Sequence, residues 1–172
     1  MHCIQYIATK ADDVEDAHSN VKHYLENLMG DEGYGTWYDW FVTGGGRWAT
    51  GDNQYNDEYT QDVAHQSSPK FQEYLDKAKE FRQSEINSYL EKARAVNLTE
   101  LLDMVDPEDE WNFKVGHQLY DIKKLYDITM GSWDYTSYFF DSENDTVVTK
   151  YMLEAIDKGD DNWYLVPVDF HF

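Results

Sequence analysis

Short apolar and aromatic runs alternate along this chain with stretches in which apolar residues recur every three to four positions, a pattern that predicts an α+β protein. His2-Cys3-Ile4-Gln5-Tyr6-Ile7-Ala8 is rich in β-branched and aromatic residues and suits a strand. The period then changes. Asp12 or Asp13 caps a predicted helix carrying Val14, Ala17, Val21, Tyr24, Leu25 and Leu28, and Gly30 supplies its stop. Gly33 and Gly35 lead into an aromatic strand, Trp37 to Val42. Residues 49–66 are polar and read as loop. Ser68-Pro69 starts a long helix, because serine caps and proline tolerates the first helical position. Its stripe runs Phe71, Tyr74, Leu75, Ala78, Phe81, Ile86, Tyr89, Leu90 and Ala93. A short helix around 97–102 follows, then one carrying Val115, Leu119, Ile122, Leu125 and Tyr126 that ends at Gly131. Trp133, Tyr135, Tyr138, Phe139 and Phe140 read as a strand with a turn at 141–145, residues 146–156 fit either period, and Trp163 to Phe172 reads as a last strand. Pro167 predicts an edge or a bulge for that strand.

This order fits a ferredoxin-like antiparallel sheet with packed helices, a single α+β domain over 1–172 with a helical insertion around 69–130. The first and last strands are then antiparallel neighbours, which brings His2 near His171.

Charge narrows the function classes. The 172 residues carry 14 Lys+Arg against 34 Asp+Glu, a formal charge of −20. Such a field opposes direct binding to nucleic acid or an anionic membrane and favours basic partners. The 41% hydrophobic and 16% aromatic content is nonetheless enough for a packed core. Cys3 is the one cysteine, so an internal disulfide is excluded, and without a base nearby in sequence it reads as a core residue. No segment reads as a signal peptide or a membrane span, which points to a cytoplasmic protein.

Two constellations carry candidate chemistry. The first is Trp37-Tyr38-Asp39-Trp40-Phe41-Val42-Thr43-Gly44-Gly45-Gly46-Arg47-Trp48. Gly44, Gly45 and Gly46 can turn successive N–H groups toward an anion, with Arg47 adding a guanidinium and Trp37, Trp40 and Trp48 flanking it. The lysine and hydroxyl of a nucleotide-binding loop are missing, so a second reading stands beside the first: a structural clamp in which Arg47 stacks on a tryptophan and pairs with an acid. The second constellation is His2 with Asp169 and His171. Asp169 and His171 share a strand face, and a facing His2 completes an acid–base or ligand group. No zinc spacing and no cofactor motif accompanies it, so neither a metal nor a cofactor is expected.

His2 at the start, Gly45-Gly46-Arg47-Trp48 with Gly51 after it, and the ending Val168-Asp169-Phe170-His171-Phe172 resemble a family of small uncharacterised bacteriophage proteins with a Gly-Gly-Arg-Trp segment and a Val-Asp-Cys-His ending. Phe170 stands where that cysteine would be. The resemblance spans about a third of the chain and implies a viral origin, hence a host cytoplasm, without implying an activity.

With no catalytic signature, the acidity carries the first functional expectation. Asp52, Asp57, Glu58, Asp62, Asp106, Glu108, Asp109 and Glu110 are expected to present an acidic surface to a basic host protein of defence or nucleic-acid binding, inhibiting it by DNA mimicry. The alternative is a small-anion or nucleotide-binding protein, sequestering or hydrolysing its ligand, that uses the Gly44–Arg47 loop and the terminal His/Asp group.

Overall fold

The elements follow one another as β1 (His2–Lys10), α1 (Val14–Met29), β2 (Trp40–Thr43), a single 3-10 turn (Gly46–Trp48), β3 (Ala64–His65), α2 (Pro69–Ala95), α3 (Leu98–Asp103), α4 (Phe113–Met130), β4 (Phe139–Asp141), β5 (Thr146–Val147), α5 (Lys150–Lys158) and β6 (Trp163–His171). The computed structural model describes residues 1–29, 36–108, 112–148, 150–159 and 162–172, with backbone alone at 150 and 157. The proposed helix stop at Gly30, the approach glycines Gly33 and Gly35, and the acidic pair Asp109 and Glu110 lie outside the described residues. The chain divides into two units, Met1–Lys79 with Trp133–Phe172, and Glu80–Ser132.

In the first unit one mixed sheet runs β2-β6-β1-β4-β5, with β3 also on β6. β1 and β6 are antiparallel over nine rungs, His2 opposite His171 and Lys10 opposite Trp163. β4 lies parallel to β1, and the other pairings are antiparallel. The α+β class is as expected, but the sheet departs from the all-antiparallel, ferredoxin-like arrangement at the β1–β4 pair, and helices cover both of its faces. Even positions of β1 and odd positions of β6 look toward α2 and α5, where Tyr6, Ala8, Phe71, Tyr74, Leu75, Met152, Trp163 and Leu165 pack. The alternate positions look toward α1, where Ile7, Ala17, Val21, Leu25, Phe140, Val166, Val168 and Phe170 pack.

β6 is not an edge strand. Pro167 is tolerated because of where its missing N–H would point. Tyr6 donates its N–H to the Tyr138 carbonyl at 3.0 Å, on the β4 side, so the Tyr6–Pro167 rung carries no β1–β6 hydrogen bond. Pro167 therefore turns its nitrogen to the other flank, where β2 ends opposite Val168 and β3 begins opposite Leu165. The gap between those two strands accommodates the proline.

Local signals act as read. Asp13 Oδ1 accepts from the Asp16 N–H at 2.9 Å, and Ser68 Oγ accepts from the Phe71 N–H at 3.2 Å. The aromatic strands are shorter than their sequence runs. β2 starts only at Trp40, and β4 only at Phe139, because Trp133 leaves the ladder to stack on Phe140 at 4.0 Å and to donate its indole N–H to Gln5 Oε1 at 2.7 Å. The second unit holds the rest of α2 with α3 and α4. Asn97 caps α3 by accepting from the N–H groups of Thr99 and Glu100, and Leu101 and Val115 are buried. Among the described residues no helix is long and apolar enough to cross a membrane.

Candidate functional site

Asp169 is 1% exposed, a carboxylate taken out of water in the middle of a sheet face, and such a group must be hydrogen-bonded. Both of its oxygens are. His2 Nδ1 donates to Oδ1 at 2.9 Å, and the Arg47 backbone N–H donates to Oδ2 at 3.1 Å. The 3-10 turn lies directly over the carboxylate: a Cβ on Gly46, whose φ is +48°, would sit 2.3 Å from Asp169 Cβ and 2.6 Å from Oδ2. The glycine loop thus does what such loops do, offering backbone N–H to an anion, and the anion is the chain's own Asp169.

Because the Asp169 oxygen that faces His2 acts as acceptor, His2 carries its proton on Nδ1 and leaves Nε2 as its second working nitrogen. His171 sits beside it in a like arrangement. Its Nδ1 donates to Asp39 Oδ1 at 2.6 Å, its ring stacks on Trp40 at 5.1 Å with 10° between planes, and its centroid is 4.8 Å from that of His2. Hydrogen bonding to His171 holds the Asp39 carboxyl below its usual range. That pairing stabilises the fold above the ordinary carboxylate range and is lost as pH falls through the depressed value. The Met1 amine lies 3.4 Å from His171 Nε2. The arrangement comprises two imidazoles, each held by its own carboxylate, set edge to face with 70° between their planes.

Arg47 is exposed, and among the described residues its guanidinium enters no ion pair and no ring contact. The expected clamp, in which Arg47 itself stacks and pairs, is therefore not what holds the loop. The backbone of Arg47 does that, and the side chain is left over. Trp40 and Trp48, 37% and 47% exposed, stay on this face. Trp37 does not. It packs on the α1 face against Phe170 at 4.9 Å and Trp133 at 5.8 Å, because it precedes β2. Phe170 is fully buried in the same cluster, a packing residue where the resembled family has cysteine.

Burial, together with the charges of Asp169 and Asp134, pushes the Cys3 thiol up to about 12. Relative to an ordinary thiol this leaves roughly a thousandfold less thiolate at pH 8. Native protein is expected to resist iodoacetamide at that pH and to label fully after denaturation, as followed by intact mass. Labelling of the native chain at the rate of a free peptide cysteine would contradict the burial.

The acidic residues separate. Asp52, Asp106 and Glu108 are exposed. Asp57 and Glu58 pair with Lys22 at 2.8 and 3.4 Å. Asp62 is 4% exposed and belongs to no surface: it accepts from the Thr50 N–H and hydroxyl at 2.7 and 2.8 Å and from Lys70 Nζ at 2.8 Å. Burial alone would raise its carboxyl, and these bonds bring it below the usual range instead. Among the described residues no group of three or more His, Cys, Asp or Glu is placed to hold a metal ion. No protein-family model, no curated protein and no solved structure matches the chain.

Proposed function

We propose that the His2–His171 end of the sheet is a site for a small anion of the phosphate-ester type, with the two histidines as its acid–base groups and the Arg47 guanidinium as its charge anchor. The observation that carries this is Asp169. A buried carboxylate held between a histidine ring and a loop N–H fixes one imidazole and one arginine backbone to the same rigid point. A second His–carboxylate pair beside the first supplies a complementary proton donor or acceptor. The overall charge opposes anions, but at physiological salt fields beyond about 8 Å are screened, so the local groups decide, with the Arg47 guanidinium and the Met1 amine set against Asp39 and Asp169, each of which already accepts from a histidine.

Inorganic phosphate is the first probe. It is expected to move the imidazole signals of His2 and His171 in NMR titrations, and Arg47→Ala is expected to weaken that binding by about tenfold or more while thermal stability is kept, since a bidentate charge-assisted contact contributes roughly 1.5–3 kcal/mol. Imidazole signals that ignore phosphate would remove this reading.

The formal charge of −20 favours a second reading, an acidic module that binds a basic host protein. The exposed Asp52, Asp106 and Glu108 and the charges at the start of α1 support it, as does the resemblance to phage proteins, which rests on the quoted residues alone. Capture of a nucleic-acid-binding host protein with affinity that falls steeply as salt rises is the result it requires.

A further inference from the structure

The two rungs that follow His2–His171 on the same face form the floor of a cavity of ≈ 360 Å³, through Ile4, Tyr6 and Pro167. Its walls come from the end of the 3-10 turn and the segment after it, through Trp48 and Thr50, and from the start of α2, through Lys70, Tyr74 and Lys77. Two properties define what fits. The first is aromatic: Tyr6 stacks on Tyr74 at 4.2 Å, Tyr138 meets Tyr6 edge-on at 5.3 Å, and Trp48 stands at the side 47% exposed. The second is electrical balance. Lys70 Nζ lies 2.8 Å from Asp62 Oδ1, and Lys77 Nζ lies 2.6 Å from Glu73 Oε1. With both ammonium groups already matched by carboxylates, a further anion gains little here. A neutral planar ring with polar edges gains stacking, and Lys70, which uses two N–H groups on the Gln61 carbonyl and Asp62, has a third to offer.

We propose that this cavity takes the base of a nucleotide whose phosphate lies at Arg47 and the two histidines. The proposal rests on the anion-site reading above and adds the class of ligand. Strand geometry makes the two parts commensurate: Ile4 is about 6.6 Å along β1 from His2, close to the span from a 5′-phosphate across its ribose to the base, and the base then points toward Tyr6, about 13 Å from His2. Trp48 joins the two parts. It closes the 3-10 turn whose preceding residue, Arg47, is tied by its N–H to Asp169, and its ring is on the cavity wall.

The test compares adenosine 5′-monophosphate, adenosine and inorganic phosphate by calorimetry and by NMR of the histidine rings, on the intact chain and on Trp48→Ala, Trp48→Phe and Arg47→Ala. The monophosphate is expected to bind about tenfold or more tighter than inorganic phosphate, the worth of one base stacked on an aromatic ring. Trp48→Ala is expected to lose that margin without changing phosphate binding, and Trp48→Phe, which keeps a ring, to retain most of it. Arg47→Ala weakens both phosphate-bearing ligands and spares adenosine. A monophosphate no tighter than phosphate, or a margin that survives Trp48→Ala, overturns the cavity assignment and leaves the anion site standing. Adenosine binding with no response to phosphate overturns the anion site on which the proposal rests.

Discussion

Asp169→Asn is expected to leave the chain folded and to invert the proton arrangement of His2. Asparagine has nearly the same shape but offers one acceptor oxygen and one donor NH₂ where the carboxylate offers two acceptors. The Arg47 backbone N–H, 3.1 Å from Oδ2, has no alternative and claims the oxygen. The NH₂ then faces His2 Nδ1, which must become an acceptor, so the ring proton moves to Nε2. A stability loss of about 1–2 kcal/mol follows from exchanging charge-assisted hydrogen bonds for neutral ones. The chemical change is at Nε2, which passes from a base to a donor; under the proposed function, turnover of a phosphate ester there would fall by roughly 10²–10⁴-fold. Nitrogen-15 spectra of the imidazoles read the change directly, with the His2 protonated nitrogen switching from Nδ1 to Nε2 while His171 keeps its Asp39-bound form. Unchanged His2 nitrogens in a folded Asp169→Asn protein would show that Asp169 does not set the state of the ring.

That this pair exists was legible in part. The strand character of the two ends and the alternation of Asp169 and His171 predict one shared face, and antiparallel pairing of first and last strands puts His2 opposite His171, as found. Asp39 as the partner of His171 was not legible, since it lies in the lead-in to another strand, and nothing in local spacing marks an acid that meets a residue 132 positions away. The glycine loop predicts backbone N–H groups turned toward an anion, and the Arg47 N–H is turned toward the Asp169 carboxylate. Sequence shows that three glycines can present N–H groups, but the presence of an internal carboxylate 122 positions on depends on register across β2 and β6.

Burial was the other quantity that composition could not supply. Asp62 looks like one acid among many in a polar stretch and is a buried acceptor for Thr50 and Lys70. Gln5 and Thr9 sit inside β1 among apolar neighbours yet are fully buried, because Gln5 bridges Trp133 and the Asp134 carbonyl while Thr9 donates to Glu143. A polar residue on the inward face of a strand is the signal that could have found them. The cavity had a faint signal too: Lys70, Tyr74 and Lys77 lie at helical spacing on one face of α2, an apolar stripe flanked by two cations.

Gly44→Ala is expected to be the most destabilising small substitution in this region, and the reason is a backbone atom. Thr43 ends β2, and the chain leaves the sheet through Gly44 at φ +79°, where a Cβ would stand 2.0 Å from the Tyr59 carbonyl oxygen and 3.1 Å from its carbon. A side chain could swing away, but a carbonyl moves only with its segment. That segment is held: the Asp57 carbonyl accepts from Thr43 Oγ1 at 3.1 Å, the Asp57 carboxylate pairs with Lys22 on α1, and Tyr59 is itself buried. Gly51 provides the control, since its φ of +74° imposes the same left-handed strain while its nearest neighbour, Asn53 Nδ2, is 3.6 Å from the added Cβ. Strain alone costs about 1 kcal/mol, and the clash brings Gly44→Ala to about 3 kcal/mol or more. For a chain of this size that separates a Tm loss of about 2–4 °C for Gly51→Ala from one of about 6–12 °C for Gly44→Ala. Thermal unfolding of the two variants side by side measures the close approach with the backbone strain cancelled, and equal losses would mean that the Tyr59 segment yields freely. If the segment holds, the path of the loop is fixed before Gly46 reaches Asp169, and the rigidity of Gly44 against Tyr59 is what delivers the Arg47 N–H to the carboxylate.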